Sequence, residues 1–236
     1  MSRLIYLENC FSTNDEIIAL VNKDEPTAVF TFNQTQGRGQ YGNIWKCSPN
    51  QNLAYTLAVE TSKINISDTS LNYYTAIIVR NFLANLTHAK VLIKWPNDLI
   101  LNSKKVGGIL IEKKKIEQNT YLLIGIGINV LQTDFSDLPK AGSILSATGF
   151  SFELEKFAEI FHQFVDAELR NIPAEDQILE IYNQYLFGRD KVSVFETAKM
   201  RQNGIIKSAD RDGFLWIDLE NEGLKKFFHK EIEMLY

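Results

Sequence analysis

The chain has 236 residues, of which 45% are hydrophobic, and a net charge of -4 from 29 acidic and 25 basic side chains. That much apolar material at this length buries a full core, which argues against disorder and leaves one globular domain with room for a small appendage. No run of basic residues is longer than Lys113 to Lys115, so the chain lacks the footprint of a nucleic-acid surface and no nucleic-acid partner is expected.

Cys10 and Cys47 are the only cysteines, and His88, His162 and His229 are scattered along the chain. Neither a disulfide framework nor a zinc site is expected from such spacing. Residues 1–10 lack the basic start and apolar stretch of a signal peptide, and no apolar run reaches the roughly 18 residues of a membrane span. The expectation is a cytoplasmic protein without a membrane partner.

In chain order, residues 3–8 read as a short strand. Thr13 and Glu16 then stand at capping-box spacing before a helical pattern at Ile17, Leu20 and Val21. Residues 27–33 are β-branched and aromatic, hence a strand, and run into a Gly-rich connection over 34–51 before a second strand at 53–60. Leu71, Tyr74, Ile78, Phe82 and Leu86 repeat at helical spacing and predict a helix over 68–87. Short apolar runs at 90–94, 99–101, 106–111 and 121–130 predict consecutive strands, with a polar turn at 113–119 between the last two. Helices follow at 153–170 and at about 174–186, the second stopped by Gly188. From Lys191 onward the pattern changes to short strands at 192–195, 204–207, 214–218 and 231–235, with turns at Asp212-Gly213 and Glu222-Gly223. The expected fold class is α+β: a mixed, mostly antiparallel sheet with flanking helices over 1–187, and a small β-barrel over 188–236.

Gly37-Arg38-Gly39-Gln40-Tyr41-Gly42 matches the dinucleotide string G-x-G-x-x-G. That reading needs a helix opening at the third glycine to receive the pyrophosphate, and residues 43–50 have no helical period and include Pro49. A phosphate-binding P-loop is excluded as well, because no Lys-Ser or Lys-Thr pair follows the glycines. What remains is either a loop of exposed backbone N–H groups with one arginine, able to close on an anion, or a plain surface turn in which that arginine has no special role.

Three further segments follow in order: Lys94-Trp95-Pro96-Asn97-Asp98, Lys105-Val106-Gly107-Gly108-Ile109-Leu110 and Ile124-Gly125-Ile126-Gly127-Ile128-Asn129-Val130. Together with Ser12-Thr13-Asn14 and Gly37-Arg38-Gly39, this series resembles the biotin protein ligases. The resemblance runs from about residue 4 to the C-terminus. It implies a sheet related to class II aminoacyl-tRNA synthetases and lipoate ligases, followed by an SH3-like barrel. It also implies a short form without an N-terminal DNA-binding domain. The implied activity is ATP-dependent formation of biotinyl-5'-AMP and transfer of biotin to a lysine of a biotin carboxyl carrier protein domain, with ATP, biotin and Mg2+ required. The rivals are a lipoate or octanoate ligase on the same fold and a non-catalytic biotin-sensing module. The protein is expected as a monomer or homodimer.

The resemblance also implies roles for particular residues. Ser12, Thr13 and Gln34 match positions that hydrogen-bond the biotin ureido group, and Asn14 belongs to the same motif. Gly37, Gly39 and Gln40 accompany them in the biotin set. The structural alternatives are helix capping for Ser12 and Thr13, a solvated loop for Gln34, and a solvated turn lysine beside Lys104 for Lys105. Arg38 and Lys105 match cations that face the biotin carboxylate and the ATP α-phosphate, where preorganised positive charge stabilises two approaching anions. Gly108 and Gly125 read as close approaches of backbone to ligand, or as strand bulges. Asn97 and Asn129 match adenine or phosphate contacts, and Trp45 is a candidate for the adenine or the valeryl chain, with a core aromatic as the alternative. Asp98 completes the expected catalytic set with Arg38 and Lys105. It orients the acceptor lysine or helps hold Mg2+, with a salt bridge to Lys94 as the alternative. Many members carry arginines at the positions of Gln40, Tyr41 and Asn43, so this loop keeps Arg38 as its one charge.

Overall fold

The computed structural model describes residues 2–197 and 200–235. Its main sheet contains β1 (Arg3–Tyr6), β2 (Thr27–Thr31), β5 (Asn52–Glu60), β6 (Val91–Lys94), β7 (Asp98–Leu101), β8 (Lys104–Ile116) and β9 (Asn119–Asn129). The strand order is β1-β2-β5-β9-β8-β7-β6, and β1 runs parallel to β2 while every other pair is antiparallel. Central β5 is buried along nearly its whole length, as a run of Leu, Ala, Tyr, Thr and Val covered on both faces should be.

One face of the sheet carries the main core. Tyr55, Leu57, Ile109 and Ile126 pack there against α2 (Asp68–Thr87), α4 (Leu154–Leu169) and α5 (Glu175–Gln184). Helix α2 opens on Ser67, whose side chain accepts the Ser70 N–H, and ends at His88 in the left-handed region. The opposite face carries α1 (Thr13–Glu16) over a smaller cluster of Ile17, Val29, Ala58, Tyr121 and Leu123. This second face holds the candidate site.

The C-terminal part is a five-stranded antiparallel sheet of β10 (Val192–Thr197), β11 (Met200–Ala209), β12 (Leu215–Leu219), β13 (Gly223–Phe227) and β14 (Glu233–Leu235). Its strand order is β13-β12-β11-β10-β14. Phe195, Ile206, Leu215 and Ile217 belong to the same apolar core as the main sheet. The segment entering this sheet also covers the outer edge of β6: Ile93 N donates to Tyr185 O and Phe187 N donates to Ile93 O, each at 2.8 Å. An edge strand that would otherwise present unpaired backbone groups is thereby closed.

Several local expectations change. The pattern at Ile17, Leu20 and Val21 gives one turn of α-helix continued by a 3-10 turn over Ile17–Ala19, and Ser12 caps it without a side-chain bond. The Thr13/Glu16 capping box is not formed, because Thr13 is engaged with Gln34 and Thr56. Strand β8 continues through the lysines to Ile116 and pairs with Asn119, so the polar turn shrinks to Glu117 and Gln118. Its polar residues belong to an exposed strand end. The Gly-rich stretch contains a hairpin of β3 (Gly37–Arg38) and β4 (Ile44–Trp45), where a simple connection was expected. Strand β13 and the short α3 (Ile144–Thr148) escaped the sequence reading: β13 is exposed and lacks alternation, and α3 is a single capped turn.

Candidate active site

Register builds the floor of the site. Ala54 of β5, Gly127 of β9, Gly108 of β8 and Asp98 of β7 lie side by side across four strands. The row has almost no side-chain volume until it reaches a carboxylate. The next row is Thr56, Gly125 and Leu110, and the one after it Ala58, Leu123 and Glu112.

Lys105 joins this face through a β-bulge. Strict alternation from Gly108 would send residue 105 toward the helices. The pairing of β7 with β8 slips between Leu99 and Ile100, so Lys105 pairs with Ile100 while Gly107 pairs with Leu99. Val106 enters the core and the Lys105 ammonium comes to 2.7 Å from Asp98 Oδ1. A bulge that re-aims one side chain is a common device beside active sites. Asp98 thus forms an ion pair with Lys105, a partner the sequence reading did not name when it kept a salt bridge to Lys94 as the alternative.

The β3–β4 hairpin covers the trough. Trp45 lies on the glycine row: a Cβ on Gly127 would stand 2.5 Å from Trp45 Cε2, and one on Gly108 would stand 3.4 Å from Cζ3. The Lys105 ammonium is 5.7 Å from the Trp45 ring centre, within cation–π range. Across the hairpin, Arg38 donates both terminal nitrogens to Asp15, at 2.5 and 2.8 Å, and Nη2 also reaches Glu112 at 3.3 Å. The arginine holds the Asp15 carboxyl below its usual range, chiefly by hydrogen bonding. Tyr41 at the hairpin tip has φ 57 and ψ 35, a left-handed backbone that costs a bulky residue about 1–2 kcal/mol.

A polar network closes the other end. Gln34 Oε1 accepts the Thr13 backbone N–H at 2.8 Å and the Thr13 hydroxyl at 3.2 Å. Thr56 Oγ1 lies 2.6 Å from Asn14 Oδ1 and 2.8 Å from Thr13 Oγ1. Asn14 Nδ2 donates to Glu112 at 2.8 Å, which leaves its oxygen for Thr56. Each hydroxyl has one proton: with Thr56 donating to Asn14, the Thr13 proton is shared between Thr56 Oγ1 at 2.8 Å and Gln34 Oε1 at 3.2 Å, and the Gln34 amide nitrogen is left as a donor.

The cleft contains about 770 Å³ of empty space, part of it open to solvent. Of the expected residues, Ser12, Thr13, Asn14, Gln34, Arg38, Gly39, Gln40, Trp45, Asn97, Asp98, Lys105, Gly108 and Gly125 all line it. Gly37 and Asn129 do not. Gly37 is needed because a Cβ there would meet Trp45 O at 2.5 Å and Gln34 Nε2 at 2.6 Å. Asn129, two residues beyond Gly127 on β9, ties that strand to Gly142 O at 2.9 Å, and Gly142 N donates to Lys105 O. The Gly125 reading changes too: a Cβ there would meet Asn14 Oδ1 at 2.5 Å and Leu110 O at 3.0 Å, so protein atoms require the glycine. Asn97 donates to Ile109 O at 2.5 Å, a structural tie that shares the wall.

Sequence reasoning missed Asp15, Thr56, Glu112, Gly127 and His229. Gly127 was legible, since it lies two residues from Gly125 on the same strand face. Thr56 and Glu112 needed the register. His229 arrives from the loop between β13 and β14, and burial pushes its imidazole below the usual value.

The sequence profile of the Biotin/lipoate A/B protein ligase family matches residues 8–129, which span the hairpin, the floor strands and the polar network. The chain belongs to this family. Among the relatives of this ligase is the bifunctional ligase/repressor BirA of Bacillus subtilis, 28% identical over 98% of the chain and 74% of the relative. The biotin--[acetyl-CoA-carboxylase] ligase of Paracoccus denitrificans is 30% identical over 63% of the chain and 65% of its own length. In fold, the ligase is similar to the biotin protein ligase of Aquifex aeolicus solved in complex with biotin and ATP. The TM-score is 0.82 at 22% identity, with 100% of this chain and 99% of that one covered. The Leishmania major enzyme in complex with biotinyl-5-AMP matches at TM-score 0.67 and 22% identity, over 95% and 98% of the two chains. Homologues and structural neighbours of this family member are thus biotin protein ligases. Among the described residues, no helix is long and apolar enough to cross a membrane.

Proposed function

We propose that this ligase condenses biotin with ATP to biotinyl-5'-AMP and passes the biotinyl group to one lysine of a biotin carboxyl carrier domain. The observation that carries the reading is that Arg38 and Lys105, from a hairpin and a bulged strand, line one cleft whose floor is the Ala54, Gly127, Gly108 row. The relatives with biotin-ligase names supply the substrate class.

A ureido ring offers one carbonyl acceptor and two N–H donors, which suit Thr13, Ser12 and the Gln34 amide at the polar end. The apolar valeryl chain suits the trough beside the Trp45 indole, which lies on the glycine floor. A carboxylate laid along this trough ends between Arg38 and Lys105. One of its oxygens attacks the α-phosphorus of ATP, a new P–O bond forms, and pyrophosphate departs with the electrons of the broken bond. The two cations stabilise charge building on the phosphoryl oxygens. Lys105→Gln is expected to lower adenylate formation by about 10- to 100-fold, the equivalent of a charge-assisted hydrogen bond worth roughly 1.5–3 kcal/mol. Pyrophosphate release measures it.

In the second step, a neutral acceptor amine attacks the carbonyl of the mixed anhydride and AMP leaves. Asp98 stands beside Lys105 at the end of the floor, where a carboxylate attracts and orients an incoming lysine. Proximity in a covered trough carries much of this step. Mg2+ would be held through the ATP phosphates and would neutralise part of their charge. Asp98 is the wall carboxylate at that end, while Asp15 and Glu112 are held by Arg38, which suits an ion carried by phosphate and water more than a protein cage.

The deciding test is incubation of the full chain with biotin, MgATP and a carrier domain, followed by intact-mass measurement. The expected result is a gain of one biotinyl group on the carrier, dependent on both small molecules. Equal or faster modification with lipoate, or tight biotin binding without transfer, would sink the assignment.

A further inference from the structure

The hairpin bearing Arg38 and Trp45 has two residues in each strand, pairing Gly37 with Trp45 and Arg38 with Ile44, and it joins neither larger sheet. A two-stranded ribbon of this length does not hold itself. Its base is fixed by Trp45 on the glycine floor and by Arg38 on Asp15. Its tip meets the C-terminal sheet instead. The Tyr41 ring lies 4.6 Å from the His229 ring at 32°, the Lys230 ammonium stands 5.2 Å from the Tyr41 ring centre, and Lys230 Nζ donates to Tyr41 O at 3.1 Å. His229 in turn leans edge-on against Trp95, with centroids 5.7 Å apart at 65°. Trp95 is 9% exposed and belongs to the main core, so this chain of rings runs from the hairpin tip to a rigid anchor.

The backbone of Tyr41 supports the same point. A left-handed position at a hairpin tip favours glycine or asparagine, and the ring contacts of Tyr41 offset its backbone strain. Its ring contacts are with residues 229 and 230, in the loop that precedes the last strand.

We infer that Tyr41, His229 and Lys230 are positioning residues: the loop between β13 and β14 pins the tip of the hairpin and so sets how long the cleft stays covered. They act through Arg38 and Trp45. What the pin retains, the adenylate, rests on the proposed ligase reaction; the contact itself does not.

Hydrogen exchange on the full chain without substrates tests the contact. The reporters are the amides of Gly39 and Asn43, which donate to Asn43 O and Gln40 O. H229A, which lies off the hairpin, and Y41A, which removes the ring without the freedom of a glycine, are each expected to speed their exchange by about three- to tenfold, the range an aromatic contact supports. Y41F, which keeps the ring, is expected to retain wild-type protection. Because the two substitutions break one contact, the double variant should exchange no faster than the faster single variant. Amides of β5 report whether each variant is folded. Unchanged exchange in folded H229A, or effects that multiply in the double variant, would overturn the pin. In a chase experiment with biotin and MgATP, the same variants should release preformed adenylate faster. Altered exchange in a protein whose wild type forms no adenylate would leave the pin standing and remove the biotin reading.

Discussion

At Gly127 a single methyl group would overlap the indole of Trp45, and at Thr56 a single hydroxyl connects two residues of the polar end. These positions separate floor from pocket. Gly127→Ala is expected to push Trp45 off the floor and raise the KM values for biotin and ATP by about tenfold, within the range for overpacking a filled site. A small change in Tm should accompany it, because Trp45 sits on the hairpin. Steady-state kinetics and a thermal melt check both outcomes. Thr56→Val keeps the shape but leaves Asn14 Oδ1 without its donor, a loss of about 1–3 kcal/mol for a buried group. Weaker biotin binding with an unchanged KM for ATP is expected. Isothermal titration and kinetics would reject this if both substrates suffered equally.

Among the elements, the hairpin departs most from its sequence reading. A stretch rich in Gly, Asn and Gln looks like a connection, and its pairing is fixed by what it lies upon. Arg38 is its one charged side chain near the anionic part of the proposed substrates, with Gln40 beside it on the cleft wall. Gln40→Arg adds a second cation where a charge-assisted bond to phosphate can form, so slower adenylate release is expected. Equal release rates for the variant and the wild type would reject this. Strands β7 and β8 show the same dependence on partners. Their slip by one residue turns Lys105 over, and no alternation within 104–110 announces it.

On the scale of the whole molecule, the sheet is closed at its first strand by a buried network. His162 of α4 meets Tyr55 OH at 2.9 Å through Nδ1 and Ser2 O at 3.1 Å through Nε2, while Ser2 N donates to Asp166 at 2.9 Å. Burial pushes the His162 imidazole below its ordinary value of 6.5, so the unfolded chain takes up a proton at higher pH than the folded one. The stability tied to neutral His162 is fully present above pH 6.5 and declines as the pH falls from there through the folded value. Urea midpoints measured from about pH 8 to about pH 5 should drop across that window, and His162→Gln should flatten this part of the profile. An identical drop in the variant would show that other groups carry it.

What the sequence determined by itself was local: helical periodicity in α2, α4 and α5, apolar strand runs in β2, β5 and β9, and the composition of the Ser12, Arg38, Asp98 and Lys105 motifs. These follow from preferences within a few residues, and they carry the family resemblance. Tertiary structure decided the rest. It chose which side of β8 Lys105 faces, why Gly125 and Gly127 are glycines, that Thr56 and Glu112 join the polar end, and that His229 reaches the cleft from the C-terminal sheet. Each depends on strand register or on contact between distant segments, and free energies of that kind are set by the assembled fold.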